Sequence, residues 1–472
     1  MGKYKTLLIN IGLFTLNTIS TKLITFLLVP LYTFFLTTKD YGITDMSLTV
    51  VSLVAPIVTL SIGDAVTRYI IDDFDDRKRY ITLGFWVTVF GCVVMFLLLP
   101  ILELPMFGGL GRYKYLYICY FISSSFNGFM ANVARGLNYI KLITWVSIVS
   151  SIVSASTAGI LIGLCGWKVK GYFVSLILGG TVSVVLYLIC GKMWRYIQIP
   201  RDGKDRSYLR AMLRYSIPLM PNSVFWWMGT SVNRFFITSM LGIGASGLFA
   251  AASKIPNMMN LVSSTFWQAW SLSAFQQYKQ EDTDRFYSNV FVVFRSFCFI
   301  AASVLILVSP CLASILLQKE FYNAWYIIPI LVLGFLLNVF AGFYGTVFTA
   351  GMKTKYLLTS TMSAAVVVVV LTWALIPPLG LQGAAWAIVG SNLVMYLMRL
   401  FDSRKFIAIK VNWTITIINF MLIILQVFIM ALQPKTYSLF STVILFVVVL
   451  LSLFELYPFI RNIIHLRKGG NE

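Results

Sequence analysis

Residues 10–36 read NIGLFTLNTISTKLITFLLVPLYTFFL, a long apolar run that nevertheless carries Lys22 near its middle. At a rise of 1.5 Å per residue, roughly 20 residues span the hydrocarbon core of a bilayer, so this run predicts a transmembrane helix. Its polar residues fall within one arc of about 160° when placed on a helix. They are Asn10, Asn17, Thr18, Thr21, Lys22, Thr25 and Thr33. A central lysine costs about 2.5 to 3.5 kcal/mol, so the arc predicts a face toward a water-filled cavity or a partner, the alternative being a snorkelling lysine.

The composition of the whole chain is that of a polytopic membrane protein. Of 472 residues, 59% are hydrophobic and 11% are charged, against about 25% charged in soluble proteins, and the mean hydropathy is +0.84. The six cysteines occur singly, without the paired spacing of a metal site or a disulfide framework. The only histidine, His465, lies near the C-terminus. These counts exclude catalysis by several histidines and predict neither a cofactor nor a metal site.

Apolar runs bounded by charged residues, Gly and Pro predict fourteen membrane spans. They cover about residues 10–36, 41–67, 81–103, 115–137, 142–166, 171–191, 215–240, 246–271, 286–313, 323–349, 357–378, 383–400, 412–432 and 437–460. Six prolines within or beside them are candidate bends: Pro30, Pro56, Pro218, Pro221, Pro256 and Pro329. The predicted fold class is an all-α membrane protein with about 14 transmembrane helices, arranged as two six-helix lobes plus two C-terminal helices.

Basic residues lie mainly on one side of the predicted membrane. With the N-terminus inside, about 26 of the 37 Lys and Arg residues fall in inner segments and about 7 in outer segments. Four lie well within spans, namely Lys22, Arg234, Lys254 and Arg295, while Arg135 and Arg399, at the inner ends of their spans, are counted with the inner segments. The positive-inside rule then predicts that both termini are cytoplasmic. Topology and attraction to anionic membrane lipids explain the net charge of +20, so no nucleic-acid partner is expected.

An internal repeat predicts the domain organisation. A shift of 205 residues lays LTTKDYG (36–42) on LGIGASG (241–247) and Asn17 on Asn222. The predicted parts are an N-terminal lobe (1–191), a basic cytoplasmic linker (192–214), a C-terminal lobe (215–400), and a segment with two extra transmembrane helices and a cytoplasmic tail (401–472). Transporters are commonly built from such repeats and handle their substrate between them.

Polar stripes continue on the first two spans of the second half. In span seven, one arc of about 120° holds five such residues, by the helical periodicity. They are Asn222, Trp226, Thr230, Asn233 and Arg234. Span eight places Ser246, Ser253, Lys254, Asn257, Asn260, Ser264, Gln268 and Ser271 on one face. We predict that a common cavity is lined by Asn17, Thr21, Thr25, Asn222, Thr230 and Asn257.

Acidic residues within the spans are few, namely Asp45, Asp64 and Glu455. Asp64 precedes Arg68 by four residues, which predicts a helical ion pair, and Glu455 is expected to reach the inner interface. Pairing is therefore not expected to neutralise the four cations within the spans, and the sequence favours a hydrated cavity of positive potential that takes an anion. Asp64, Arg68 and Arg295 are candidates for coupling or structural roles, and snorkelling or a hydrogen bond to a carbonyl is the favoured interpretation for Arg68 and Arg295.

The run FLLVPLYTFFLTTKDYGITDMSL, followed by GDAVTRYI at 63–70, resembles the polysaccharide biosynthesis family of Wzx-type lipid-linked oligosaccharide flippases. That family belongs to the MOP exporter superfamily, with the MATE multidrug exporters and the lipid II flippase MurJ. The resemblance implies a flippase of the bacterial cytoplasmic membrane that moves undecaprenyl-diphosphate-linked oligosaccharides to the outer leaflet, for surface polysaccharides such as O-antigen or capsule. It also implies that Lys22, Lys254 and, less securely, Arg234 face the cavity and bind the diphosphate.

Three other classes of function are compatible with many spans. A MATE-like multidrug or ion antiporter usually handles cations, which surplus positive charge would repel. A polytopic glycan polymerase or ligase would ordinarily need a sizeable outer loop with acidic or His residues, whereas the predicted outer loops are all about ten residues or shorter. An inert scaffold does not explain the interior cations. The leading prediction is a non-enzymatic flippase, for which a polymerase and glycosyltransferases are candidate partners.

Overall fold

The computed structural model describes residues 23–199, 205–278, 280–433 and 436–468. Within these ranges the regular secondary structure is helical, without a strand, which confirms the all-α prediction. The helices are α1 (Leu23–Phe35), α2 (Thr38–Val58), α3 (Ile62–Asp72), α4 (Arg77–Leu97), α5 (Lys114–Gly136), α6 (Ile140–Ala158), α7 (Lys168–Cys190), α8 (Asp205–Ser216), α9 (Leu219–Ser231), α10 (Asn233–Leu241), α11 (Ile243–Ala252), α12 (Met258–Gln277), α13 (Thr283–Leu316), α14 (Ile328–Ala350), α15 (Thr354–Leu379), α16 (Leu381–Ser403), α17 (Trp413–Leu432) and α18 (Tyr437–Lys468). Short 3₁₀ segments connect several of them, and a π-helical stretch extends α6 to Leu164.

Ten helical segments of the described chain are long and apolar enough to cross a membrane, so the protein is a multi-pass membrane protein. They coincide with ten of the fourteen predicted spans. The remaining four also correspond to helices. Span one is described only from Leu23, span four is the less apolar α5, and spans seven and eight are each divided between two shorter helices.

Three predicted spans are interrupted helices. Span two breaks between α2 and α3, where Leu60 and Ser61 have φ of 53° and 49°, in the left-handed region. Pro56 lies in the last turn before this break. Span seven is interrupted at residues 217–218, between α8 and α9, and again at Val232. Span eight breaks over the turn 253–257, which contains Pro256, and proline disrupts a helix because it has no N–H to donate.

The chain divides into two compact units, Met1–Ala250 and Ala251–Glu472. In the first unit, α8 packs on the α3–α4 region, where Met212 is fully buried and the Tyr208 hydroxyl donates to the Asp76 carboxylate at 2.5 Å. The Trp227 indole on α9 donates to the Thr49 carbonyl at 3.0 Å. Segments C-terminal to residue 191 therefore pack within the first unit, while the domain boundaries inferred from the repeat stay a prediction.

In the second unit α14 is the central helix, because it packs against α12, α13, α15, α16 and α17. Rings from three helices meet around it. Phe343 of α14 lies 4.7 Å from Phe291 of α13 and 4.9 Å from Trp270 of α12, between ring centroids. Close packing of these rings stabilises the unit through van der Waals contact.

Candidate functional site

Arg234, predicted as an unpaired cavity cation, forms an ion pair in the first unit. Its Nε lies 2.7 Å from Oδ2 of Asp45, and the two side chains are only 18% and 7% exposed. Arg234 belongs to the start of α10, and Asp45 to α2. The expectation that pairing would leave the interior cations uncompensated is therefore wrong for Arg234, because Asp45 neutralises its charge.

Aromatic packing holds α9 and α10 in place beside α2. Trp227, which donates to α2 through its indole, lies 5.5 Å from Phe235 between ring centroids. Phe235 in turn lies 5.7 Å from Phe107, in a 3₁₀ segment after α4. These contacts fix the register of α10, and thereby bring Arg234 to Asp45.

The polar arc predicted for span seven is divided between two environments. Asn222, Trp226 and Thr230 are exposed on α9, and the Thr230 hydroxyl donates to the Trp226 carbonyl at 3.0 Å. Asn233 is buried at 3% exposure. The exposed three residues remain candidates for lining a cavity, whereas Asn233 and Arg234 pack inside the first unit.

Lys254 and Asn257 lie in the non-helical turn that interrupts span eight, in the second unit. Lys254 is half-buried and Asn257 is exposed. The Asn257 amide donates to the Ser253 carbonyl at 2.8 Å and accepts a hydrogen bond from the Asn260 amide at 3.1 Å. The predicted stripe of span eight is thus centred on a turn rather than on a continuous helix.

Three residues of the predicted site, Lys22, Asn17 and Thr21, lie outside the described residues. Thr25 is exposed on α1, as are Leu23 and Leu27, so its cavity-lining role stays a prediction. Thr33 is fully buried, and its hydroxyl donates to the Pro30 carbonyl at 3.3 Å. The outer end of the polar arc on span one is therefore a packing surface.

Arg68 pairs with Asp72 at 2.9 Å and not with Asp64, which corrects the predicted i, i+4 pair. Both partners are about half exposed, so this pair contributes little to stability. Asp64 instead lines a polar cavity of about 250 Å³ beside the break in span two, together with Ser124, Ser125 and Asn132. Its proposed coupling role stays a prediction.

Arg295 does not snorkel to an interface. Its side chain is completely buried in the second unit, where the guanidinium donates to the Glu455 carboxylate and to the Thr416 hydroxyl. Glu455, expected to reach the interface, is only 9% exposed and serves as the counter-ion of Arg295. Arg295 therefore has a structural role, as one of the two alternatives predicted for it.

Arg399 is a buried arginine that sequence reasoning placed among the inner-segment charges. On α16 it is 7% exposed and donates to the Ser360 hydroxyl, the Ala341 carbonyl and the Thr361 hydroxyl at 2.9 to 3.1 Å. Because Arg399 lies at the end of an apolar run, the sequence pattern did not indicate that its side chain is buried. Neutral acceptors on α14 and α15 satisfy this guanidinium.

The two repeat-related helix starts, those of α2 and α11, contact each other reciprocally. A Cβ placed on Gly42 would lie 2.1 Å from the Ile243 carbonyl oxygen. A Cβ placed on Gly247 would lie 2.0 Å from the Thr38 carbonyl oxygen. The shift of 205 residues maps Gly42 on Gly247 and Thr38 on Ile243, so each contact is the counterpart of the other. Only glycine permits this close backbone approach.

The sequence of the chain matches a family model described as polysaccharide biosynthesis protein over residues 7–272, which is more than half of the chain. The chain belongs to the polysaccharide biosynthesis protein family. A comparison of the sequence with curated proteins found no match.

The fold of this family member is also found in solved transporter structures. The lipid II flippase MurJ, in an inward closed conformation, superposes with a TM-score of 0.69 at 17% identity, covering 96% of this chain and 99% of MurJ. A MATE multidrug resistance transporter of the MOP superfamily, in an inward-facing conformation, gives 0.67 at 15% identity, covering 83% and 94%. The Vibrio cholerae MATE transporter VcmN gives 0.60 at 15% identity, covering 85% and 96%. These likenesses establish a shared fold.

The chemistry open to this family member follows from its side chains. Among the described residues, no group of three or more His, Cys, Asp or Glu side chains is placed to hold a metal ion. Of the cations that the sequence placed within spans, the structure describes three: Arg234 and Arg295, which have carboxylate partners, and Lys254, which lies in the turn that interrupts span eight. A charged group in a non-helical segment within a span is suited to binding a ligand, because such segments usually line a cavity.

Proposed function

We propose that the protein is a flippase that moves polyprenyl-diphosphate-linked oligosaccharides from the cytoplasmic to the outer leaflet of the bacterial cytoplasmic membrane, for cell-surface polysaccharide biosynthesis. Family membership and the fold shared with MurJ, whose described substrate is lipid II, support this function. The observation that carries the proposal is Lys254 in the turn that interrupts span eight. Broken helices commonly form substrate sites in transporters, since their free backbone groups and unwound segments face the ligand.

The diphosphate is the part of this substrate that basic residues would recognise. Charge-assisted hydrogen bonds between an ammonium group and a phosphate are stronger than neutral ones. Lys22 and Lys254 are the proposed diphosphate-binding residues. Arg234 is assigned a positioning role between α10 and α2, because Asp45 already compensates its charge.

The polyprenyl tail requires an apolar path, and the second unit offers one. An open groove of about 870 Å³ is lined by α14, α15, α16 and α17, almost entirely with apolar side chains. Trp386, Phe420 and Phe428 are among them. Arg404 and Trp413 lie at one end of the groove, where the guanidinium carbon is 5.6 Å from the centre of the tryptophan ring. A polyprenyl chain could rest along this groove while its charged head moves.

Lys254→Ala should reduce translocation at least tenfold without preventing membrane insertion, because it removes a cation that binds the substrate and not a side chain of the packed core. A hydrogen bond to a charged group is worth about 1.5 to 3 kcal/mol, which corresponds to roughly 10- to 100-fold. The measurement is the accumulation of lipid-linked intermediates in cells that carry the variant as their only copy. Lys22→Ala should act in the same way.

The matched control is Lys355→Ala, which removes an exposed lysine from the start of α15. It should transport at the wild-type rate, and Lys254→Arg should retain more activity than Lys254→Ala, since the charge survives. Wild-type flux in a properly inserted Lys22→Ala/Lys254→Ala double variant would refute the diphosphate-binding role proposed for the two lysines. Export of cationic dyes, lost in the same variants, would favour the MATE-like alternative.

The orientation of the protein can be tested by labelling single cysteines in intact cells, after replacement of the native cysteines. Lys39 and Arg210 are both exposed, and the predicted topology places them on opposite sides of the membrane. A cysteine at position 39 should react with an impermeant maleimide from outside, whereas one at position 210 should react only after lysis. Labelling of position 210 in intact cells would reverse the proposed topology.

A further inference from the structure

A cavity of about 820 Å³ opens in the first unit where three interhelical connections meet. Its wall consists of the start of α4, the turn between α5 and α6, and the residues that follow α7. The lining includes five basic residues and, among the described residues, no acidic one. They are Arg77, Lys78, Lys141, Lys192 and Arg195. The proposed transport mechanism uses none of them.

The positive charges of this cavity have no carboxylate partner among the described residues. Of the nearby acids, Asp73 accepts from Tyr80 at 3.0 Å, Asp76 accepts from Tyr208, and Asp205 pairs with Arg79 at 3.0 Å, while Asp75 is exposed and does not line the cavity. Arg77 donates through Nη1 to the Phe74 carbonyl at 2.7 Å, while its Nε is buried without a hydrogen-bond partner. This Nε is enclosed by protein atoms, so Arg77 contributes the charge of its guanidinium to the cavity and not a free Nε–H donor.

The starts of two helices add to the positive electrostatic potential of the cavity. Helices α4 and α6 both begin at the cavity, and neither has a side-chain cap at its N-cap residue, Asp76 or Tyr139. The first peptide N–H groups of a helix have no intrahelical acceptor, and the helix N-terminus carries partial positive charge. In α4 the Arg77 N–H is engaged with the Phe74 carbonyl at 3.4 Å and the Arg79 N–H with the Asp76 carbonyl at 2.9 Å, so the helix starts add partial positive charge to the five basic side chains rather than a set of free donors.

The wall of the cavity is firmly held. Met193 is completely buried below it, and the Tyr196 carbonyl accepts a hydrogen bond from the Thr82 hydroxyl at 2.7 Å. Tyr139 also lines the cavity, and burial together with the neighbouring Tyr196 raises its pKa, although Arg77 acts in the opposite direction. Its phenol also hydrogen-bonds the Tyr196 side chain, so Tyr139 is part of the cavity wall.

Two tryptophans indicate the depth of this cavity. Trp194, beside the lining residue Arg195, is 59% exposed, and Trp86 is 42% exposed while its indole donates to the Gln198 carbonyl at 2.9 Å. Exposed tryptophans concentrate at membrane interfaces, where lipid headgroups lie. The cavity is therefore placed where it can receive a headgroup from the adjoining leaflet as well as a solute from water.

We propose that this cavity binds a phosphate-bearing anion, supplied either by an anionic phospholipid headgroup or by a soluble phosphorylated molecule. Arg195 offers paired donors that match phosphate oxygens, and Arg77, Lys141 and Lys192 add positive charge. The volume exceeds that of a single phosphate, so the site has room for the group that carries it. The proposal does not depend on which molecule the protein translocates.

The test measures thermal unfolding of the full-length protein in nanodiscs. One arm titrates inorganic pyrophosphate into phosphatidylcholine nanodiscs, and the other compares phosphatidylcholine with mixed phosphatidylcholine–phosphatidylglycerol nanodiscs. A ligand that binds the native state raises the unfolding temperature by mass action. The unfolding temperature of the wild type should rise in at least one arm. The variant Lys141→Gln/Lys192→Gln/Arg195→Gln should need at least tenfold more pyrophosphate, or phosphatidylglycerol, for an equal rise in its unfolding temperature.

The matched control removes three exposed arginines from α8, outside the cavity, as Arg206→Gln/Arg210→Gln/Arg214→Gln. Both triple variants lose the same charge from predicted cytoplasmic segments, so only a local site separates them. The charge-conserving Lys141→Arg/Lys192→Arg/Arg195→Lys variant should retain most of the rise in unfolding temperature. Its retention would show that the Gln variant loses the rise because it loses charge and not because it misfolds. A gain with phosphatidylglycerol alone identifies a lipid site, and a gain with pyrophosphate a solute site. No gain in either arm, or equal losses in the two triple variants, would overturn the proposal.

Discussion

Glu455→Ala should lower the free energy of unfolding of the second unit by about 3 to 5 kcal/mol, because it leaves a buried charge without its counter-ion. The Arg295 side chain has no exposed surface, and the Glu455 side chain is 9% exposed. The Thr416 hydroxyl, which also accepts from Arg295, is neutral and cannot replace the carboxylate. The measurement is the unfolding transition of the purified variant in detergent, compared with the wild type.

Two controls separate this effect from a general loss of charge. Glu103→Ala removes an exposed acid that pairs with Lys114 at 2.7 Å, and such a pair is worth at most about 1 kcal/mol. Arg295→Met/Glu455→Met removes both charges of the buried pair and should recover most of the lost stability, since an apolar pair of similar volume avoids the desolvation cost. If Glu455→Ala were as stable as Glu103→Ala, the structural role assigned to Arg295 would be wrong.

Sequence reasoning found the interior charges but not their partners. Asp45 and Glu455 were recognised as acids within spans, and Arg234 and Arg295 as cations within spans. The residues of the second pair are 160 positions apart, and no local pattern links such positions. Helical periodicity assigns residues to faces, whereas pairing depends on which helices are neighbours.

The helical fold itself could be predicted, because hydropathy alone marks segments that must satisfy their backbone hydrogen bonds in lipid. The interruptions were harder to predict. Pro56 precedes the break in span two and Pro256 lies within the break in span eight, yet Pro310 lies inside the continuous helix α13. A proline therefore permits a break in a helix without specifying one, and the packing around the proline decides whether the helix breaks there.

The polar face of span seven shows that helical periodicity alone does not predict which polar residues belong to the candidate site. Asn222 and Asn233 share one arc on an ideal helix, but Asn222 is exposed and Asn233 is buried. The sequence cannot show where along its length a polar face changes from cavity wall to packing surface. That point is set here by Trp227, whose indole fixes α9 to α2.

The reciprocal glycine contact between α2 and α11 leads to the prediction with the largest functional effect. The predicted topology places these two helix starts at the outer side of the membrane, where a transporter that alternates between two states must seal and open. In the present structure the starts touch through backbone atoms, so this end of the first unit is closed around Gly42 and Gly247. The following expectation rests on the proposed flippase function.

Gly247→Val should reduce translocation at least tenfold by preventing this closure. A Cβ at position 247 would lie 2.0 Å from the Thr38 carbonyl oxygen and 2.8 Å from the Gly42 nitrogen, so the two helix starts must separate. Arrest with the outer side open should make a cysteine introduced by Thr230→Cys react faster with an impermeant maleimide from outside intact cells, in a background without native cysteines. Gly42→Val, the repeat-related variant, should give the same result.

The matched control is Gly159→Val, since a Cβ at position 159 meets no atom within 4 Å. This variant introduces the same β-branched side chain into a helix and should transport normally, which isolates the steric contact from helix propensity. Reduced flux in Gly247→Val with unchanged reactivity at position 230 would mean that the contact supports folding and not gating. Normal flux together with unchanged reactivity would show that the two helix starts need not meet during transport, and would remove this contact from the mechanism.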